Sequence, residues 1–374
     1  MKIGIVCYPT YGGSGVVATE LGMALAKKGY EIHFVTYNQP VRLDFLSGNV
    51  HYHEVDLEEY PLFKFQPYEL ALSSKMVEVA MEYKLDILHV HYAIPHAYAA
   101  YMAKKMLADE GIKIKVVTTL HGTDITLVGS HPNYKTAVEF SINKSDEVTT
   151  VSSSLKEDTS RLFNIKKDIK VVYNFINGKD HEIDENEPCV RHLLAKPNER
   201  ILTHISNFRP VKRVEDVVKI FYKVQQEIPS KLLMVGDGVD RIKAENLAVE
   251  LGIKNKVLFL GNTNEIAKIL HYTDVFLLPS ETESFGLAAL EAMASSSAVI
   301  STNTGGLPEV NKQGITGFLS DLGNVDEMAK NTISILKDDE TLNKFKVNAK
   351  KHIENFSLEK ILPQYEEIYK NILK

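Results

Sequence analysis

Short β-branched, apolar runs recur along the chain, each followed by a longer stretch with helical spacing, and they do so in two series. The first series is Lys2–Cys7, Ile32–Thr36, Asp86–Val90, Lys115–Leu120, Glu147–Val151 and Lys170–Tyr173. The second is Arg200–Ile205, Lys231–Val235, Lys256–Leu260, Asp274–Leu278 and Ala298–Ser301. Alternation of this kind predicts parallel sheets covered on both faces by helices. The clearest helix spans Gly15–Lys28, with Val17, Leu21, Ala24 and Leu25 on one side, Lys27 and Lys28 in the last turn and Gly29 as its stop. Between the two series, the polar, acidic, Pro-containing stretch Asn177–Glu199 carries little periodicity and reads as an interdomain linker. The expectation is two doubly wound α/β domains, residues 1–176 and 177–355, with a terminal helix over 356–374. A chain of 374 residues fits two cores of roughly 150 to 200 residues each better than one.

Composition then excludes several function classes. Apolar residues make up 44% and charged residues 25%, the balance of a globular protein. The formal charge of -6 offers no global positive field for nucleic acid or an anionic membrane, so any phosphate binding must be local. The two cysteines, Cys7 and Cys189, make neither a disulfide framework nor a Cys-based zinc site, which fits a reducing cytoplasm. The apolar stretch Ile3–Tyr8 is short and is broken by Pro9 and the following glycines, so it reads as a strand rather than a signal peptide. No apolar run approaches the 18 or so residues of a membrane span, and stable membrane insertion is not expected. A homo-oligomer is left open.

Open α/β sheets bind ligands beyond the carboxyl ends of their strands, and the segments richest in chemistry follow such strands. Gly12-Gly13-Ser14-Gly15 joins the first strand to the first helix, where absent side chains let backbone N–H groups approach an anion. From Gly13 onward the run also fits a dinucleotide fingerprint ending in Ala18, but Thr36-Tyr37-Asn38 supplies no acid for a ribose. A plain strand-helix turn explains the loop equally well. The strongest signal is Ser280-Glu281-Thr282-Glu283-Ser284-Phe285-Gly286, which runs through Leu287 into a helix carrying Glu291. Glu283 falls at the head of that helix and Glu291 some two turns in, so each carboxylate can accept hydrogen bonds from a pair of sugar hydroxyls. Two solvated acids favoured by the helix dipole are the bland alternative, yet Glu291 stands among Leu287, Leu290, Ala292 and Ala294, where an idle charge would be costly.

The spacing of Glu283 and Glu291, with Gly305-Gly306-Leu307-Pro308-Glu309 after the next strand, resembles the nucleotide-sugar site of the family-4 glycosyltransferases. The resemblance extends over essentially the whole chain. Tyr8-Pro-Thr-Tyr-Gly-Gly-Ser-Gly-Val-Val-Ala-Thr-Glu20, His89-Val-His-Tyr-Ala-Ile-Pro-His96 and Thr118-Thr-Leu-His-Gly-Thr-Asp124 are similar, more narrowly, to the branch that transfers N-acetylglucosamine to L-malate in bacillithiol synthesis. The family implies a GT-B fold: two Rossmann-like domains facing each other across a cleft, the N-terminal one binding the acceptor and the C-terminal one the UDP-sugar. It implies that the last helix, about Leu358–Leu373, returns to the N-terminal domain. It also implies Glu291 on the ribose, Glu283 on the transferred sugar, and the backbone of Phe285, Gly286 and Leu287 at the sugar or diphosphate. Gly13, Ser14 and Gly15 would meet the diphosphate, and His121 the sugar near the reaction centre. Family members carry an arginine and a lysine five residues apart to neutralise the departing diphosphate. Here Lys212 matches the lysine, Asn207 stands at the arginine position, and Arg209 lies two residues further on.

The resemblance implies retention of anomeric configuration, with Lys212, His121 and Glu283 as the catalytic set. Breaking the bond from C1 to a diphosphate puts charge on the leaving group, so preorganised cations and N–H groups are the main need. No two aspartates are separated by a single residue, the pattern that metal-dependent transferases present, and neither a metal nor a cofactor is expected at the site. Asp124 is the nearby sequence candidate for a nucleophile if the reaction ran by double displacement. His89 with His91, and His51 with His53, alternate along strands and share a face as a metal pair would, but no third ligand is apparent, and polar strand-end residues explain them better. Ser14, His91, Tyr92, Thr119 and His121 become the candidates for holding an acidic acceptor such as L-malate. Other readings are a relative acting on a lipid or polysaccharide acceptor, a UDP-sugar epimerase of the same two-domain plan, and a dinucleotide-dependent oxidoreductase.

Overall fold

The structure is a computed structural model that describes residues 1–10, 13–44, 46–57, 65–181 and 189–374. Tyr11 and Gly12 of the glycine-rich turn, and residues 182–188 of the stretch read as a linker, lie outside the described residues. The chain divides into two compact units, Met1–Asn174 with Glu359–Lys374, and Phe175–Leu358. The described ends of the stretch read as a linker, 177–181 and 189–199, fall in the second unit.

The first unit holds seven strands: β1 (Lys2–Val6), β2 (Glu31–Thr36), β3 (Val50–Glu54), β4 (Ile87–His91), β5 (Lys115–Leu120), β6 (Glu147–Thr150) and β7 (Lys170–Val171). They form one parallel sheet in the order β3-β2-β1-β4-β5-β6-β7. The central strand β4 is buried along its whole length, as a strand covered on both faces must be. Helix Gly13–Lys27 enters directly from β1 and ends at Gly29, whose φ of +90° lets the chain reverse at no Cβ cost. The terminal helix Leu358–Leu373 completes this unit through the buried Tyr365 and Tyr369, and Tyr369 exchanges a hydrogen bond with His89 across 2.7 Å. Glu366 on the same helix accepts from Lys28 Nζ at 2.6 Å and from Tyr30 Oη at 2.9 Å.

The second unit holds β8 (Arg200–Ile205), β9 (Ser230–Val235), β10 (Val257–Gly261), β11 (Val275–Leu278), β12 (Ala298–Thr302) and β13 (Gly317–Ser320). These too form one parallel sheet, in the order β10-β9-β8-β11-β12-β13. Val217, Phe221 and Val224 of helix Val214–Glu227 pack with Leu232, Met234, Val275, Leu277 and Ile300 in its core. The strand series read from the sequence omits β13 and registers β3 only through its alternating histidines. Both are edge strands with short or polar sequences, where periodicity is weakest.

In each sheet the strand order reverses direction once, between β1 and β4 in the first unit and between β8 and β11 in the second. Loops leaving such a pair turn to opposite faces and open a crevice at the carboxyl edge, where doubly wound sheets take their ligands. The segments 8–15 and 92–96 leave one pair, and 206–212 and 279–286 leave the other.

Candidate functional site

In the second unit, the loops after β8 and β11 are stitched together. The Glu281 N–H donates to the Val211 carbonyl at 2.8 Å, and Lys212 Nζ donates to Glu283 Oε1 at 2.5 Å. Ser280 Oγ donates to that same carboxylate oxygen at 3.0 Å. Lys212 and Glu283, chosen from separate motifs, thus form one ion pair with side chains 20% and 13% exposed. The partial burial limits screening and holds the ammonium in a fixed place at the crevice.

The glycine pair after β12 explains how the Glu283 loop keeps its shape. Gly305 has a φ of +57°, and a Cβ there would stand 2.0 Å from the Glu283 carbonyl oxygen. Gly306 N–H donates to the same oxygen at 2.9 Å. Any side chain at Gly305 would drive the two loops apart. Gly286, at φ +99°, then turns the chain into helix Leu287–Ala294. Glu291 is half-buried in that helix, between the buried Leu290 and Ala292.

Phe285 is 2% exposed and packs edge-on against Phe356 with ring centres 5.7 Å apart, so its side chain anchors the loop. Asn207 and Arg209 are exposed at the end of β8.

In the first unit, Ser14 Oγ and Tyr92 Oη share a hydrogen bond of 2.7 Å, which joins the head of the first helix to the loop after β4. The Tyr92 ring lies 5.2 Å from those of Tyr8 and His121. His91 Nδ1 and His121 Nε2 are 2.8 Å apart, and His96 Nδ1 donates to the His91 carbonyl at 2.5 Å. Gly15 belongs to the same construction: a Cβ there would stand 2.4 Å from the Tyr8 carbonyl oxygen and 2.6 Å from that of Thr10. Gly13 is exposed beside it. Thr119 is fully buried, with its hydroxyl bonded to His89 Nε2 and to Thr149 Oγ1, both at 2.7 Å, so it supports the histidines from beneath.

Burial dominates the electrostatics here. It pushes His89 and His121 down to about 3 and His96 to about 4, and it holds His91 well below the ordinary 6.5, so the four rings are neutral at pH 7. Nε2 of His91 and Nε2 of His96 are buried with no hydrogen-bond partner among the described residues, an arrangement that calls for a polar ligand.

Sequence reasoning passed over Tyr8 and His96, although both lie in segments already singled out. Asp124 entered only as the candidate for double displacement, the less favoured route. That carboxylate is 2% exposed and accepts from three backbone N–H groups, Ala93 at 2.7 Å, Gly122 at 3.0 Å and His121 at 3.2 Å. Both oxygens are occupied in clamping the loops after β4 and β5, which is the role of a brace and not of a free nucleophile. Burial raises Asp124 to about 6 despite those donors.

Comparison with known proteins accords with this geometry. The family described as Glycosyltransferase Family 4 matches residues 11–179, and that described as Glycosyl transferases group 1 matches residues 189–352. The chain is 48% identical over 375 aligned residues to the N-acetyl-alpha-D-glucosaminyl L-malate synthase of Bacillus anthracis, covering 100% of this chain and 98% of the other. Among solved structures, a glycosyltransferase from Rickettsia africae ESF-5 superposes with a TM-score of 0.80 at 23% identity, covering 100% of this chain and 98% of that one. The Anabaena protein HepE in complex with UDP-glucose superposes with a TM-score of 0.81 at 20% identity, covering 99% of this chain and all of the other. These neighbours share the GT-B fold. Two sheets of Rossmann type, a matched family over each half and a full-length relative at this identity establish that the chain belongs to the family-4 glycosyltransferases and is a hexosyltransferase.

Proposed function

We propose that the chain transfers N-acetylglucosamine from UDP-N-acetylglucosamine to L-malate, releasing UDP with retention of configuration, as the first step of bacillithiol synthesis in the cytoplasm. The observation that carries this reading is the full-length 48% identity to a relative of that name. The second unit is the donor domain in this reading and the first unit the acceptor domain. Glu291 takes the ribose hydroxyls and Glu283 the sugar hydroxyls, while the N–H groups of Gly286 and Leu287 meet the diphosphate or the sugar.

The chemistry asked of the protein is modest. The C1–O bond to the diphosphate breaks through an oxocarbenium-like state, and the malate hydroxyl oxygen bonds C1 on the face the diphosphate leaves. The hydroxyl proton passes to the departing diphosphate oxygen. Lys212, positioned by Glu283, stabilises the charge that develops there, with Arg209, Asn207 and the N–H groups of Gly13, Ser14 and Gly15 as further diphosphate partners. His121 stands at the sugar. His91, Tyr92 and Ser14 take the acceptor; in the tautomer whose Nδ1 accepts from His121, Nε2–H of His91 is the donor to a carboxylate.

No enzyme nucleophile is required, which agrees with the committed state of Asp124. Among the described residues no helix is long and apolar enough to cross a membrane.

The test is a screen for UDP release with UDP-N-acetylglucosamine and a panel of hydroxy acids. Release that depends on L-malate is expected. Release that ignores the hydroxy acid, or that requires a lipid bringing the protein down with liposomes, would replace the malate reading with another acceptor.

A further inference from the structure

At the β2–β3 edge of the first unit, a cluster of histidines lies apart from the residues assigned to transfer. In the parallel pairing, His33 on β2 stands directly beside His51 on β3, and Val35 beside His53. Successive side chains on a strand alternate in face, so Glu31 and His33 project together, as do His51 and His53. The His33 ring stacks on those of His51 and His53 with centres 4.6 Å and 5.2 Å away, and Tyr83, the last residue of helix Tyr68–Tyr83, tilts against all three.

Three potential ligand atoms converge there. His33 Nε2 is 3.1 Å from Glu31 Oε1, His51 Nε2 is 4.0 Å from that oxygen, and one donor atom from each residue falls within 4.8 Å of the other two. In a tetrahedral zinc site, with bonds near 2.0–2.1 Å, ligand atoms stand about 3.3 Å apart. The first pair already has that spacing. His51, with its side chain 39% exposed, is free to close the remainder by a small rotation, whereas His33 is fully buried and fixed.

The next layer of contacts is also that of a metal-binding histidine. His33 Nδ1 lies 2.9 Å from His53 Nε2, so with Nε2 on an ion the Nδ1–H would donate to His53 and fix the ring's tautomer. Lys2 Nζ contacts both oxygens of Glu31 at 3.1 Å, so a cation already has a place at this carboxylate. Glu31 and His33 begin β2, at the amino edge of the sheet, whereas the transfer residues follow the carboxyl ends of their strands.

We propose that Glu31, His33 and His51 form a binding site for a zinc-type transition-metal ion, with His53 orienting His33. Two imidazoles and one carboxylate leave a fourth position for water and match the ligand preference of Zn²⁺ over that of Mg²⁺. The site braces the edge strand β3 against β2.

The test uses the full chain stripped with a chelator and titrated with ZnCl2 in the presence of a chromophoric competitor. One equivalent is expected to bind tightly. Glu31→Gln and His51→Ala change partly exposed side chains, so both variants should fold as the wild type does by circular dichroism, and both should lose that equivalent. His53→Ala should weaken binding by roughly 10- to 100-fold, the usual effect of removing the partner that orients a ligand histidine. X-ray absorption of the zinc-loaded wild type should show two imidazoles in the first shell. Zinc bound with unchanged stoichiometry and affinity by Glu31→Gln and His51→Ala, or no zinc bound by the wild type, would overturn the assignment.

Discussion

Lys212 donates to Glu283 at the head of the motif, and Ser280 donates to the same carboxylate oxygen. Removing a preorganised group that stabilises leaving-group charge typically lowers turnover by about 10²- to 10³-fold. Lys212→Ala should therefore lower kcat by roughly that factor with the fold intact, measured as UDP release at saturating donor. A variant with unchanged kcat would take the charge-stabilising role away from Lys212.

At this scale the sequence was legible where chemistry and motif coincide. Lys212, Glu283, Ser14 and Tyr92 are found by their place after strands, and the structure pairs them two by two. Asp124 was set aside as a nucleophile because front-side substitution needs none, but the three backbone donors that occupy it were not legible from its motif. His33 escaped notice because its partners come from cross-strand register, which spacing along one strand does not contain.

At the scale of elements, the loops at the two points of strand reversal depend on supports that are distant in sequence. His89 illustrates this. It sits on β4 one alternation before His91, and its two ring nitrogens bind Thr119 on β5 and Tyr369 on the terminal helix. Tyr369→Phe keeps the ring and removes one partner of a buried nitrogen, a loss that costs about 1–3 kcal/mol. The variant should melt at a lower temperature by that measure, with the Michaelis constant for the UDP-sugar unchanged, since the partner it loses, His89, is not among the residues assigned to the donor.

The strands were legible almost to the residue where both faces are buried, as with Lys115–Leu120 and Arg200–Ile205. They were not at the edges, where Val50–Glu54 alternates histidine with tyrosine and Gly317–Ser320 is only a few residues long. An edge strand buries too little for its pattern to stand out from that of a loop.

At the scale of the molecule, buried neutral histidines set the response to acid. His89, His96, His121 and His204 are lowered by burial to between about 3 and about 4, and burial holds His91 well below its ordinary value too. The unfolded chain takes up protons near the ordinary 6.5 while the folded one does not, so the stability these groups contribute is present above 6.5 and lost as pH falls toward their folded values. Asp124, raised to about 6, acts in the opposite sense: what its neutral form contributes is lost as pH rises through 6. One carboxyl does not offset five imidazoles. Thermal unfolding followed from pH 7 to pH 4 should show a steady fall in midpoint beginning near 6.5, and a flat profile would mean that these rings are solvated.

Joining N-acetylglucosamine to L-malate by substitution on the face the diphosphate leaves, as proposed, fixes the configuration of the product. Proton NMR of the product formed from UDP-N-acetylglucosamine and L-malate tests identity and stereochemistry together. An α-linked N-acetylglucosaminyl malate appearing in step with UDP is expected; a β-linked product, or free N-acetylglucosamine with malate untouched, would overturn retaining transfer to malate.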